Sequence, residues 1–360
     1  MGESTGIQWT DATWNPVTGC TKVSPGCLHC YAATLDKRFS EAWGRGPHVP
    51  WTVAAQRGAA IAQDIKRSKL AAPLLYPSLP GPDRYSPVTL HPDRLEAPLH
   101  WRQPRRVFVN SMSDLFHEAV PDEFVERVFA VMAAAKHHTF QVLTKRPERM
   151  LKWFASEPLY SRSDMVAGAA WDMKIAEFGV GQKAGHHDPK DCPTTGSCRR
   201  CDKHFKIRRV WPGWPLPNVW LGVSVENQRY ADERIPLLLQ TPAAVRFISA
   251  EPLLEPVRLY DEWLTPKLSL DWVIVGGESG LGARPMNLDW ARSIVRQCGA
   301  ASVPCFVKQL GAKPVEPFGW REGLVRVDLR DPKGGNPEEW PAALRVRAFP
   351  QPKAPAAVRP

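Results

Sequence analysis

Three cysteines near the N-terminus carry the clearest chemical signal in the chain. The segment WNPVTGCTKVSPGCLHCYA sets Cys20, Cys27 and Cys30 with six and then two residues between them. A structural zinc site closes on four ligands, whereas a [4Fe–4S] cluster held by three thiolates keeps one iron open to a cofactor or substrate. Gly19 and Gly26 let the loop wrap tightly, and Ser24-Pro25-Gly26 is a turn signature. The pattern predicts an iron–sulfur cluster on Cys20, Cys27 and Cys30. A zinc ion completed by His29 or by a distant side chain is the competing reading.

A second cysteine group lies in HHDPKDCPTTGSCRRCDKHF. Cys198, Cys201 and His204 can share one tight knuckle, with Cys192 arriving from before the turn, as in a Cys3His zinc site. His187 is an alternative fourth ligand, and an auxiliary iron–sulfur cluster or unligated cysteines are the other readings. Next to it, Lys203, Lys206, Arg208 and Arg209 alternate with Phe205, Trp211 and Trp214. Such alternation can neutralise phosphates and stack bases, and equally describes the solvated face of a small zinc-stapled subdomain. Cys298, in a helical pattern, and Cys305, entering a strand, read as structural.

The elements that must position these groups follow from hydrophobic periodicity. Short apolar runs start at Val107, Phe140, Val219, Val245, Trp272 and Pro304, and helical periods start at Phe124, Tyr230 and Leu288. Strand and helix in alternation imply a parallel sheet with right-handed crossovers. Counting a first strand from Trp14 to Cys20, about seven strands result, and the fold class is α/β, a partial or complete parallel β/α barrel. A doubly wound open sheet is the alternative.

Ligands in such folds bind beyond the strand ends. Here the runs end in Asn110, Ser111, Ser113 and Asp114; in Thr144, Lys145 and Arg146; in Ser224 and Glu226; in Glu251; in Glu278 and Ser279; and in Lys308 and Gln309. These groups are expected to converge. Lys145, Glu226, Glu251 and Glu278 are the titratable candidates for catalysis. Gly276 and Gly277 permit close backbone approach to a ligand, and Glu278 can accept from an ammonium or hydroxyl; a glycine turn with a solvated Glu is the plainer account.

Residues 1–150 read as the first part of the barrel with the cysteine loop, and 218–347 as its remainder. Between them, 151–217 is too long and too rich in Trp, Pro, Gly and Lys/Arg for a βα connection, and reads as an inserted metal-binding subdomain. The proline-rich stretch 71–103 is expected as extended surface chain, and 348–360 as a disordered tail.

With 43% hydrophobic and 23% charged residues, the 360-residue chain can bury a full core, which excludes general disorder. Its 47 Lys+Arg against 37 Asp+Glu, a net charge of +10, favour a polyanionic partner over mere solubility. The N-terminus has no basic start followed by an apolar run, and no apolar stretch of roughly 18 residues occurs. A cytoplasmic protein without membrane contact is expected, and of its 8 cysteines the two clusters at 20, 27 and 30 and at 192, 198 and 201 are expected to bind metal rather than form disulfides.

Several segments together resemble a known family: IQWTDATWNPVTGC with the two later cysteines, RRVFVNSMSDLFHEAV, FQVLTKRPERM, VWLGVSVENQRYADERI, VRFISAEPLLEPV, and DWVIVGGESGLGARPM with CFVKQLG. They are similar to a phage-associated group of the radical S-adenosylmethionine superfamily whose members have been described only as of unknown function. The resemblance spans nearly the whole expected barrel. It implies a [4Fe–4S] cluster on Cys20, Cys27 and Cys30, S-adenosylmethionine bound to the open iron, and reductive cleavage to a deoxyadenosyl radical. It also implies an electron donor such as flavodoxin or ferredoxin.

Two features depart from the superfamily pattern. Six residues rather than the commoner three lie between the first two cysteines. The Gly-Gly-Glu element follows a late strand, so Asn110, Ser111, Ser113 and Asp114 are better placed for the amino acid part of the cofactor, with Gly276, Gly277 and Ser279 as further cofactor contacts. The resemblance implies a substrate in DNA or a modified nucleotide, an amino acid adduct on thymidine isomerised during phage DNA hypermodification in the host cytoplasm. A DNA-lesion repair lyase and a non-catalytic iron–sulfur and zinc nucleic-acid-binding protein are the alternatives.

Overall fold

Apolar β-branched runs alternating with helical periods produce one dominant sheet. The computed structural model of the chain describes residues 5–33, 35, 49–50, 74–76, 84–155, 162–173, 175, 215–265, 269–280, 282–317 and 323–351, with 49–50, 74–76, 84–87, 162–164 and 171–172 described by backbone alone. Its strands are β1 (Ala12–Trp14), β2 (Val17–Thr21), β3 (Val49–Pro50), β4 (Leu74–Tyr76), β5 (Arg84–Leu90), β6 (Arg106–Val109) and β7 (Thr139–Thr144). They continue with β8 (Val219–Ser224), β9 (Val245–Ala250), β10 (Trp272–Gly276), β11 (Met286–Asn287), β12 (Cys305–Gln309), β13 (Pro314–Pro317) and β14 (Leu324–Arg326). The helices are α1 (Asp122–Ala134), α2 (Pro147–Ala155), α3 (Arg162–Asp172), α4 (Gln228–Gln240), α5 (Asp261–Leu264) and α6 (Leu288–Ala300).

Seven strands form a sheet in the order β1-β6-β7-β8-β9-β10-β12, and every neighbouring pair is parallel. The order never reverses. That excludes the doubly wound alternative, whose strand order switches direction. β1 and β12 are not hydrogen-bonded to each other, so the sheet stays open as a half-barrel.

Its curl follows from the contacts of one side chain. Phe108 on β6 and Trp272 on β10 are four strand spacings apart, roughly 19 Å in a flat sheet, yet both rings meet Trp9, at 4.7 and 6.3 Å between centroids. Phe247, Trp220 and Phe306 complete this inner aromatic floor. The alternate residues of β10, Val273 and Val275, point outwards into the larger core with Phe124, Val128, Phe129 and Met132 of α1 and with Ala291, Ile294 and Cys298 of α6. Burial on both faces explains why these strands read as nearly unbroken apolar runs.

Three sequence expectations need correction. The single first strand from Trp14 to Cys20 is two: β1 ends at Trp14, the chain turns at Asn15-Pro16, and β2 pairs antiparallel with β5 in a separate sheet of order β2-β5-β4-β3. Stretch 71–103 is therefore not just surface chain, since β5 buries Val88 and Leu90 completely. The helical layer also extends past residue 151: Trp153 of α2 is fully buried against Phe129, and Val166 and Ala170 of α3 join the same core.

Beyond β14, which closes a small sheet of order β11-β13-β14, the chain returns to the open edge. Val307 N–H donates to the Val346 carbonyl and Ala348 N–H to the Cys305 carbonyl, setting this segment antiparallel along β12. Phe349, placed in the disordered tail by its sequence, packs on Trp272 and Phe306 at 5.4 and 5.1 Å. Residues 352–360 lie outside the described residues. Among the described residues, no helix is long and apolar enough to cross a membrane.

Candidate functional site

The turn at Asn15-Pro16 carries the cysteine loop across the C-terminal ends of the barrel strands. Cys20 lies in β2, and Cys27 ends a short 3-10 turn, Pro25–Cys27, in which Leu28 N–H donates to the Pro25 carbonyl. Cys20, Cys27 and Cys30 are partly buried, none is in a disulfide, and all three line one cavity of about 830 Å³. That volume is in the range of small-molecule and cofactor sites, roughly 300–1,000 Å³.

The same cavity receives the strand-end groups that the sequence marks. Asn110, Ser111, Ser113 and Asp114 reach it from β6, Thr144, Lys145 and Arg146 from β7, Ser224 from β8 and Glu251 from β9. Gly277, Glu278 and Ser279 follow β10, and Lys308 and Gln309 close β12. Gly276 and Glu226 are set back from it.

Several of these polar groups hold the cysteine loop in place. Ser113 Oγ donates to the Val17 carbonyl at 2.8 Å, and Ser111 Oγ donates to Asn15 Oδ1 at 3.1 Å. Tyr31 Oη donates to the Ser111 carbonyl at 2.6 Å. Asp114, expected to bind cofactor, accepts from Thr144 Oγ1, from the backbone N–H groups of Phe116 and Lys145, and from Arg146 Nη1. Those four bonds occupy its lone pairs, so its carboxylate acts as a hub between the β6 and β7 ends.

Asn110 sits at φ 60, in the left-handed region that Asn tolerates better than most residues. Its Oδ1 accepts from Val17 N–H at 3.2 Å, while its buried Nδ2 has no partner among the described residues.

Glu226 is fully buried behind the loop. It accepts from Ser24 Oγ at 2.6 Å and from Arg234 Nη1 at 3.0 Å, and Lys145 Nζ stands 3.7 Å away. A Cβ on Gly26 would fall 2.5 Å from its Oε1, so only glycine lets the loop lie this close. Lys145 also donates to Ser224 Oγ at 3.1 Å. Burial lowers the Lys145 pKa, but the Glu226 carboxylate, Cys27 and Cys30 more than offset it and hold the ammonium above its usual range.

On the far side, Glu251 pairs with Lys308 across Gly276, where a Cβ would come within 3.2 Å of the Glu251 carboxyl carbon. Glu278 accepts from Arg284 Nη2 at 2.6 Å and Nε at 2.9 Å, and Arg284 Nη2 continues to the Pro25 carbonyl. Burial alone would raise the Glu278 pKa, and the hydrogen bonds from Arg284 bring it below its ordinary value. Gly277 is glycine for a different reason from ligand approach: a Cβ there would collide with the Leu310 carbonyl oxygen of the adjoining loop.

Asn15, Arg234 and Arg284 escaped the sequence reading, as did the 331–335 turn, from which Asp331, Lys333 and Gly335 line the cavity. Of these, only the 331–335 turn had a local signal, its Asp-Pro-Lys-Gly-Gly composition. Cys192, Cys198, Cys201 and His204, with His187 and the neighbouring basic and aromatic residues, lie outside the described residues.

Among the described residues, no three His, Cys, Asp or Glu side chains gather closely enough to share a single metal ion. A four-iron cluster makes a different demand. Each thiolate binds its own iron, so the sulfurs stand further apart than the roughly 3.8 Å between ligands of a tetrahedral zinc. Three thiols lining one cavity, with Asn110 Nδ2, unpartnered among the described residues, beside them, fit such a cluster and a polar cofactor next to it. Burial pushes the Cys20 thiol up to about 12 against the pull of Arg146, and metal ligation deprotonates such a thiol outright.

Fold and site together define a class: an open parallel β/α half-barrel whose cavity, at the C-terminal ends of the strands, is roofed by a three-cysteine loop. Residues 4–323 match the family model described as "Protein of unknown function (DUF5131)", and the chain belongs to that family. Comparison with curated proteins and with solved structures returns no match.

Proposed function

We propose that the chain is a radical S-adenosylmethionine enzyme that modifies or rearranges a base of nucleic acid. The observation that carries this reading is that Cys20, Cys27 and Cys30 line the same cavity as the polar ends of the barrel strands. In the proposal the three thiolates hold a [4Fe–4S] cluster, which together with S-adenosylmethionine supplies a radical able to take hydrogen from an unactivated carbon.

The chain's own residues meet the other needs of such chemistry. Asn110 Nδ2 offers a buried donor for an oxygen acceptor of the cofactor. Lys145 presents a cation on one wall, and the Glu251–Lys308 pair presents both charges on another. Trp9 and Phe108, part of an aromatic floor with Phe247 and Trp272, line the cavity from below. The formal charge of +10 supports a polyanionic substrate, and an amino acid adduct on thymidine in phage DNA is the substrate that the resemblance favours.

Anaerobic reconstitution tests the proposal. The expected protein is brown, holds about four irons per chain, and loses them when Cys20, Cys27 and Cys30 are all changed to Ala. Reduced, it consumes S-adenosylmethionine, and mass spectrometry of nucleosides from adduct-bearing DNA detects the product. Iron surviving the triple change overturns the assignment of the cluster to these residues.

A further inference from the structure

Arg146 joins the end of β7 directly to a sulfur of the cysteine loop. It follows β7, is 5% exposed, and uses all five of its N–H donors. Nε donates to Glu118 Oε1 at 3.1 Å. Nη1 donates to Asp114 Oδ2 at 3.2 Å and to Cys20 Sγ at 3.6 Å. Nη2 donates to Thr21 Oγ1 at 2.8 Å and to the Thr21 carbonyl at 3.3 Å. His117 braces the same threonine: its Nδ1 accepts from Ala119 N–H, which leaves Nε2 to donate to Thr21 Oγ1 at 3.0 Å.

Resting on the cluster reading above, we infer that Arg146 is a positioning residue that raises the reduction potential of the cluster through its N–H···S bond and fixed charge on Cys20. The physical argument concerns charge. Reduction adds one electron to the cluster, and a guanidinium held against a ligand sulfur stabilises the reduced form more than the oxidised one. Hydrogen bonds to the sulfurs are among the levers that set such potentials. With all five donors satisfied and little exposure, the guanidinium cannot swing away to be screened by water, and its Nη1 rests against the Cys20 sulfur.

The test is a potentiometric titration, followed by electron paramagnetic resonance, of the reconstituted full chain and its Arg146→Gln and Arg146→Lys variants. A charge-assisted hydrogen bond of about 1.4 kcal/mol corresponds to tenfold in the reduced-to-oxidised ratio, or about 59 mV for one electron. Arg146→Gln is expected to shift the midpoint to a more negative potential by about that amount, with Arg146→Lys between it and wild type. Since Arg146→Gln can lose its cluster, Glu118→Gln provides a second reading at a residue whose side chain is 68% exposed. It removes the carboxylate opposing Arg146 and is expected to shift the midpoint positively. An iron-loaded Arg146→Gln with an unchanged midpoint overturns the inference, as does an unmoved Glu118→Gln midpoint if Arg146→Gln holds no iron. A wild-type chain without iron overturns the cluster reading itself.

Discussion

At the scale of single residues, the polar groups at the strand ends divide by how far each is already engaged within the protein. Ser113 and Glu226 direct their side chains at the cysteine loop, and Asp114 and Glu278 at arginines that reach it, whereas Asn110 Nδ2 has no partner among the described residues and Lys145 remains 23% exposed at the cavity wall. Glu278 shows the consequence for stability. Its folded pKa lies below the ordinary 4.5 because Arg284 holds the ionised form against the cost of burial. A carboxylate with a depressed folded pKa contributes stability that is fully present above its unfolded pKa and is lost as pH falls through its folded pKa. Melting wild type and Glu278→Gln from pH 7 down to pH 3 checks this. Wild type is expected to be the more stable at pH 7, and the gap is expected to narrow below about pH 4.5.

At the scale of elements, the cysteine loop has little regular structure of its own and is held by four strand ends. β6 contributes Ser111 and Ser113, β7 Arg146, β8 Glu226, and the loop after β10 Glu278 through Arg284. This fixes where the loop can lie without fixing its local fold, and it makes Gly26 the tightest point. Glu226 cannot retreat from a Cβ there, being fully buried and held by Arg234 and Ser24. Gly26→Ala is expected to cost about 1–3 kcal/mol in denaturant unfolding, as for other overpacked sites. Iron content after reconstitution is expected to fall in parallel. Unchanged stability and iron content would show that the loop can lift off β8 freely.

At the scale of the whole molecule, an open half-barrel must protect its inner face without an eighth strand. Two distant segments do so together. Arg347 Nη2 donates to Gln8 Oε1, to the Lys308 carbonyl and to the Gly335 carbonyl, and Gln8 Nε2 also donates to Gly335. Phe349 then covers the aromatic floor, with the Arg106 guanidinium 4.2 Å above its ring centre. Removing residues 347–360 is expected to destabilise the chain by about 1.5–3 kcal/mol, the partly buried Phe349 ring and the lost Arg347 hydrogen bonds together. Phe349→Ala is expected to reproduce most of that loss in thermal unfolding. Equal melting temperatures for wild type and both variants would mean that the floor is closed without the segment.

Local signals in the sequence determined a good deal here. Six of the seven strands of the sheet, three main helices and the strand-end polar groups are legible because period, propensity and turn chemistry act over a few residues, whereas the first strand, Ala12–Trp14, reads as one with the β2 that follows it. The triad Cys20, Cys27 and Cys30 is legible for the same reason, its spacing being contained in one loop. What the tertiary structure alone decided are contacts between residues far apart in the chain: Ser24 with Glu226, Arg284 with Pro25, Gln8 with Gly335. None leaves a periodic trace. A buried glutamate that anchors a loop and one that faces a substrate are the same letter in the sequence, and only the packing around each carboxylate separates them. Likewise Gly277 is explained by the Leu310 carbonyl, a neighbour set by the pairing of β10 with β12 rather than by any residue beside it in the chain.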